Sequence, residues 1–256
     1  MREMTSQEEQ LALQMIGLLD LTLLNADDNE ARVLALCRRA ITPVGAVAAV
    51  CVFPHFVHLA RRALDDLRAD TVRISTVANY PYGGSNLLSA VSETRAALAS
   101  GADEISLVYP YRMHLTGNNQ GATDLVAACK AMCGDRATLK VILEAGELRD
   151  PQIIRKVCVD MFAVGADFIE TSTGKVIVNA TPQAARIILE VIAEAGGQGG
   201  FKAAGGIRTF DEARVYLDLA KARFGPHWVG VDRVRLGAAS LLDDVLTRLG
   251  VLAPGR

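Results

Sequence analysis

The sequence predicts a closed (β/α)8 barrel, and three observations carry the prediction. Short apolar runs, often β-branched, alternate with segments of helical periodicity from one end of the chain to the other. Eight such units fill 256 residues, which is the size and rhythm of that fold. No stretch rich in Gly, Ser or Pro separates the units as a linker would. One α/β domain over residues 1–256 is therefore expected, with a short polar extension at about 1–10 and a short tail at about 250–256. An open doubly wound sheet is the competing arrangement; the unit count and the lack of a G-x-G-x-x-G turn after the first strand favour closure.

Taken in order, the strands are expected at 17–24 ("GLLDLTLL"), 45–53 ("GAVAAVCVF"), 71–78 ("TVRISTVA"), 104–110 ("EISLVYP"), 138–144 ("TLKVILE"), 166–172 ("ADFIETS"), 200–205 ("GFKAAG") and 234–240 ("VRLGAAS"). Helical spacing follows them, for example at 29–40, 89–102 and 181–196. Asn29, Asp150 and Thr181 are candidate N-caps, and Pro151 and Pro182 suit a first helical turn. Gly101, Gly165 and Gly196 are the expected stops.

Composition narrows the function. An apolar fraction of 50% with 22% charge describes a well-buried globular chain, and a net charge of -2 without basic, aromatic-laced runs argues against nucleic acid as a partner. The start "MREMTSQEEQ" lacks the order of a secretory signal, and the apolar run at 44–53 is about half of what a membrane span needs. A cytoplasmic protein without a membrane anchor is expected. Cys37, Cys51, Cys129, Cys133 and Cys158 form no C-x-x-C pair and read as buried thiols. His55 and His58 fall on one helix face with no third ligand, so no metal site is expected.

In such a barrel the reactive groups lie at the C-terminal strand ends and in the loops beyond. The candidates are Asp20 and Thr22 on the first strand, Cys51 on the second, Ser106 on the fourth, Lys140 on the fifth, Glu170 on the sixth and Lys202 on the seventh. Gly174 and Lys175, Gly205 and Gly206, and Gly237, Ala239 and Ser240 suit a phosphate pocket, because glycines let backbone N–H groups approach an anion and a helix start favours it. Tight turns alone are the alternative. Lys140 and Lys202 stand among apolar neighbours, where an unpaired ammonium loses solvation. They are either functional or members of an interior ion-pair cluster with Glu170 and Glu144.

The segments "LLDLTLLNADD", "TPVGAVAAVCVFP", "ADEISLVYPYR", "LKVILEAGEL", "GADFIETSTGKVIVNATP", "FKAAGGIRT" and "RLGAAS" resemble, in order and spacing from about Leu13 to Leu249, deoxyribose-phosphate aldolases of the bacterial type related to the enterobacterial enzyme. The resemblance implies a TIM barrel of the class I aldolase type that cleaves 2-deoxyribose 5-phosphate reversibly to glyceraldehyde 3-phosphate and acetaldehyde. It implies no cofactor or metal, and a place in carbohydrate and deoxyribonucleotide catabolism. It also implies Lys202 as supporting lysine, Asp20 as the strand-one acid, Cys51 as the strand-two cysteine, and Thr173, Gly174, Lys175, Gly206 and Ser240 as substrate or phosphate contacts. A homodimer is left open.

Two positions depart from that pattern. The family carries its Schiff-base lysine before Thr-Ser-Thr-Gly-Lys, where this chain reads "FIETSTGK" and has Glu170; the family's relay aspartate on strand four is Ser106 here. The family's C-terminal tyrosine is absent too, since the chain ends "VLAPGR". A carboxylate forms no iminium, and beside a lysine it raises the pKa that class I chemistry needs lowered. Lys to Glu exchanges a positive for a negative charge and Asp to Ser removes a negative one, so the pocket shifts by a single negative charge. Glu170 is then expected as a substitute counter-ion for Lys202 and in part Lys140. The leading expectation is an aldolase-like protein that keeps a pocket for a sugar phosphate or aldehyde and has lost, or nearly lost, Schiff-base activity. A lyase with relocated chemistry, using Lys202 or Lys140 as amine and Glu170 as acid or base, is the alternative, as is an inactivated variant of an ordinary aldolase.

Overall fold

The structure, a computed structural model, describes residues 4–252. The expected ends of the extension and tail, at 1–3 and 253–256, lie outside the described residues. Eight parallel strands close into a barrel: β1 (Leu19–Leu23), β2 (Ala49–Val52), β3 (Arg73–Ala78), β4 (Glu104–Val108), β5 (Thr138–Ile142), β6 (Phe168–Glu170), β7 (Gly200–Ala204) and β8 (Val234–Ala238). Each strand pairs with its sequence neighbours, and β1 joins β8 through Asp20 and Gly237.

Helix α1 (Ser6–Gly17) precedes β1. Helices α2 (Glu30–Arg39), α3 (Val57–Asp66), α4 (Leu87–Ala99), α5 (Asn119–Cys133), α6 (Pro151–Ala163), α7 (Pro182–Glu194), α8 (Phe210–Phe224) and α9 (Leu241–Arg248) follow the strands in turn. The expected caps are in place: Asn29, Asp150 and Thr181 side chains accept from the backbone N–H of Arg32, Gln152 and Ala184. Each satisfies a donor that the first helical turn leaves without a partner. Gly101, Gly165 and Gly196 have φ of 99°, 90° and 74°, the left-handed exit from a helix that only glycine takes without strain.

Successive strand residues face opposite sides, and that alternation sorts the chemistry. Outward go Leu19, Leu21, Val50, Ile74, Ile105, Leu107, Leu139, Val141, Ile169, Phe201 and Leu236, all buried in the core between barrel and helices. Each such burial stabilises by about 1.5–3 kcal/mol. Charged and polar residues occupy the inward positions: Glu104 and Ser106 on β4, Lys140 on β5, Glu170 on β6, Lys202 on β7 and Arg235 on β8.

Two expectations are corrected. The strand expected at 45–53 is divided: Gly45–Ala46 pairs antiparallel with Ile41–Thr42, and only Ala49–Val52 joins the barrel. Pro43 and Gly45, whose φ is 135°, turn the chain, and the Thr42 hydroxyl donates to the Gly45 carbonyl at 2.6 Å. His55 and His58 do not share one α-helix, because His55 lies in a 3-10 turn (Pro54–Phe56) and stacks on Phe53, while α3 begins at Val57. All five cysteines are buried and free. Among the described residues no helix is long and apolar enough to cross a membrane.

Candidate active site

Below the barrel mouth, inward side chains form a closed ionic layer. Asp20 sits at its centre, with Oδ2 2.7 Å from Lys140 Nζ and 2.9 Å from Lys202 Nζ and Oδ1 2.5 Å from an Arg235 guanidinium nitrogen. Glu104 binds Lys140 at 2.5 Å and Arg235 at 2.6 Å. Lys202 reaches upward to Glu170 Oε1 at 3.2 Å, and the Ser106 hydroxyl donates to Glu170 Oε2 at 2.9 Å. Three buried acids (Asp20, Glu104, Glu170) thus meet three buried bases (Lys140, Lys202, Arg235), and the half-exposed Arg73, which also reaches Glu104 at 3.2 Å, is matched by Asp232 at 2.9 Å, so the layer is neutral.

Neutrality decides the protonation states. Burial alone would raise the Asp20 carboxyl, yet Lys140, Lys202 and Arg235 outweigh it and hold it well below the usual carboxylate range. Glu104 follows the same pattern: burial raises it, but Lys140 and Arg235 bring it below its ordinary value. Burial pulls the Lys202 ammonium down, but Asp20 and then Glu170 overcome that pull and raise it above an ordinary lysine. Lys202 is therefore an ammonium at neutral pH, and the free amine that an imine requires is suppressed.

The layer is the floor of a cavity of about 220 Å³ at the C-terminal end of the strands. Of the residues singled out from sequence, Thr22, Cys51, Ser106, Glu170, Thr173, Gly174, Lys175, Lys202, Gly205, Gly206, Gly237, Ala239 and Ser240 all line it. Asp20 and Lys140 do not. They lie beneath the cavity, fully buried, and Lys140 is enclosed by Asp20 and Glu104.

This corrects the expected lysine partners: Lys140 pairs with Asp20 and Glu104 rather than Glu170, because Glu170 stands a pleat higher on β6. Among the described residues Glu144 pairs with no lysine. At φ 55° it accepts from the Thr173 N–H at 3.2 Å and the Thr173 hydroxyl at 2.5 Å. That hydroxyl accepts in turn from the Lys175 N–H at 3.1 Å, so Glu144 braces the turn carrying Gly174 and Lys175. A non-glycine residue held in the left-handed region costs on the order of 1 kcal/mol, which these bonds offset.

The upper wall carries cations and glycine loops. Lys175 and Arg208 stand exposed at the rim, and neither side chain forms an ion pair among the described residues. The loops after β6 and β7 meet so closely that a Cβ on Gly174 would contact the Gly205 Cα at 3.7 Å. Gly205 itself has φ of 90°, and a Cβ there would stand 2.9 Å from Asn179. Side-chain-free backbone, two cations and the start of α9 at Ser240 together suit a phosphate group. Burial pushes the Cys51 thiol up to about 11, so it faces the cavity as a neutral group.

Sequence reasoning missed Arg208, Tyr80, Glu104 and Arg235. The last two carried the signal that singled out Lys140, a charge inside an apolar strand, in "EISLVYP" and "VRLGAAS". Arg208 and Tyr80 sit in loops with no periodic signal; the Tyr80 hydroxyl donates to the Thr173 carbonyl at 3.2 Å only because the fold joins the two loops.

Known proteins place this arrangement in context. A candidate deoxyribose-phosphate aldolase from Toxoplasma gondii, in its apo form, is 25% identical, matches 98% of this chain and 100% of its own, and superposes with a TM-score of 0.88. Another from Coccidioides immitis is 26% identical over 91% of this chain and 85% of its own, at a TM-score of 0.76. The deoxyribose phosphate aldolase of Aeropyrum pernix, tetrameric in its structure, is 24% identical over 96% and 99% of the two chains, with a TM-score of 0.74, and shares the fold. Residues 14–244 match the profile described as DeoC/LacD family aldolase. With the barrel, its ionic floor and this match together, the chain belongs to the DeoC/LacD family of aldolases.

Proposed function

We propose that the cavity binds a small phosphorylated sugar or aldehyde and that the Schiff-base route of deoxyribose-phosphate aldolases is closed in this chain. The observation that carries the reading is Glu170 itself, a carboxylate on the cavity wall bonded to Lys202 and Ser106 where the resemblance calls for a reactive amine. Loss of a covalent nucleophile removes several orders of magnitude of rate. The rim cations and the glycine loops remain suited to a phosphate.

Lys140 offers no relocated amine, since it lies under the floor between two carboxylates. Lys202 reaches the cavity, but its two carboxylate neighbours keep it protonated. The test is direct. 2-Deoxyribose 5-phosphate should raise Tm, while acetaldehyde with borohydride should leave the protein mass unchanged. An acetaldehyde-derived mass mapped to Lys202 would overturn the closed-route reading, and a Tm indifferent to every phosphorylated sugar would overturn the pocket.

A further inference from the structure

The groups that close the imine route form a different reactive set. Lys202 Nζ carries three N–H bonds and stands 2.9 Å from an Asp20 oxygen and 3.2 Å from a Glu170 oxygen; with at most one N–H directed at each carboxylate, at least one is left for a ligand, and the side chain borders the cavity. Glu170 shares one oxygen with Lys202 and the other with Ser106, and each oxygen keeps a second lone pair. A fixed ammonium and a carboxylate 3.2 Å apart, on the floor of a narrow cavity with an anion-suited rim, are the two groups needed to enolise a carbonyl compound.

We propose that Glu170, Lys202 and Ser106 catalyse proton transfer at the carbon beside the carbonyl of a small phosphorylated aldehyde or ketone, with no imine. This rests on the phosphorylated-ligand reading above and assigns that site an activity of the isomerase class. Lys202 donates its free N–H to the carbonyl oxygen. Glu170 takes the proton from the neighbouring carbon; the C–H electron pair becomes a C=C bond and the carbonyl π pair moves onto the oxygen held by Lys202. Glu170 then returns a proton. Delivered to the same carbon, it produces only exchange with solvent. Delivered to the former carbonyl carbon, while the adjacent hydroxyl proton passes through Ser106 to the former carbonyl oxygen, it interconverts an aldose and a ketose. Atoms and electrons balance with no oxidant, reductant or second substrate, and Glu170 ends as it began.

The charge change relative to the family pattern fits this use. An amine opposite Lys202 would repel it and favour a neutral nucleophile, whereas a carboxylate there keeps Lys202 an electrophile and is itself a base. Cys51 and Tyr80 line the same space and add no charge. Burial raises both groups, so both are neutral at physiological pH.

The experiment follows C–H to C–D exchange by proton NMR in D2O with dihydroxyacetone phosphate, glyceraldehyde 3-phosphate, ribose 5-phosphate and 2-deoxyribose 5-phosphate, beside Tm with each probe. Wild type should deplete the α-proton signal of at least one probe and form the aldose or ketose partner where an α-hydroxyl is present. 2-Deoxyribose 5-phosphate, which lacks that hydroxyl, should show exchange alone and no acetaldehyde. Glu170→Gln should lose about 100-fold or more of the exchange rate, and Ser106→Ala should lose isomer formation more than exchange. Circular dichroism confirms that each variant is folded. If the probes raise Tm but wild type exchanges no faster than Glu170→Gln, the proposal falls and the binding reading stands. If no probe raises Tm, both fall. Exchange accompanied by a borohydride-stable adduct on Lys202 overturns the imine-free route.

Discussion

Glu170→Gln tests whether the carboxylate is the counter-ion that the ionic floor requires. The change keeps size and shape and removes one charge, turning a neutral layer of three acids and three bases into one with an excess positive charge. At 3.2 Å and an effective dielectric of about 20, the lost attraction to Lys202 is roughly 5 kcal/mol before relaxation. Lys202 keeps Asp20 at 2.9 Å, and the amide oxygen can still accept from Lys202 while its NH2 donates to the Ser106 hydroxyl oxygen, so the net loss should be nearer 2 kcal/mol, about the value for a charged hydrogen bond. For a domain of this size that is a fall in Tm of about 4–8 °C. Urea denaturation at pH 7.5 with an unchanged m-value reads the loss. A double-mutant cycle with Lys202→Met isolates the pair, with an expected coupling of about 1–3 kcal/mol. A variant as stable as wild type, or a coupling indistinguishable from zero, would refute the counter-ion argument and with it the view that the changes at 106 and 170 compensate each other.

Glu170→Lys alone should destabilise strongly, because it places a second ammonium beside Lys202. Adding Ser106→Asp should recover part of that loss and restore an acetaldehyde adduct under borohydride, read by mass; an adduct absent from the double variant would mean that more of the pocket has diverged. The pH profile of stability follows from the signs. Asp20 and Glu104 are depressed in the folded state, so their contribution is complete above an unfolded value of about 4 and vanishes as pH falls through the folded values. Lys202 is raised, so its contribution is complete below about pH 10 and is lost only as pH rises through its folded value. A plateau across neutral pH with a steep acid edge should appear in urea titrations, and Asp20→Asn should flatten that edge. Gly237→Ala would bring a Cβ to 2.9 Å from the Ala204 Cβ and 3.0 Å from Lys202 Cε, and should cost about 1–3 kcal/mol by denaturation while weakening sugar-phosphate binding. Cys51, its thiol pushed up to about 11, should resist iodoacetamide at pH 7.5 in the native protein and label fully in urea, as peptide mass spectrometry can show.

The sequence alone determined the barrel, because each unit repeats the same local physics: a β-branched apolar run, a capped helix, a glycine stop. It also pointed to the cavity end of the barrel and to most of the residues that line it, since in this fold strand ends and the loops beyond them face one mouth, but it counted Asp20 and Lys140 among them and passed over Tyr80 and Arg208. The inward charges were legible as charges in apolar strands, but their pairing was not. Period-two alternation says that Lys140, Glu170 and Lys202 point inward, yet the stagger of a closed barrel sets the depth of each. Only the tertiary structure put Lys140 below the floor with Asp20 and Glu104, left Lys202 shared between Asp20 and Glu170, and turned Glu144 away to brace the Thr173 turn. Electrostatic energy depends on distance through space, and separations of 29 to 215 residues along the chain say nothing of it until eight strands have closed.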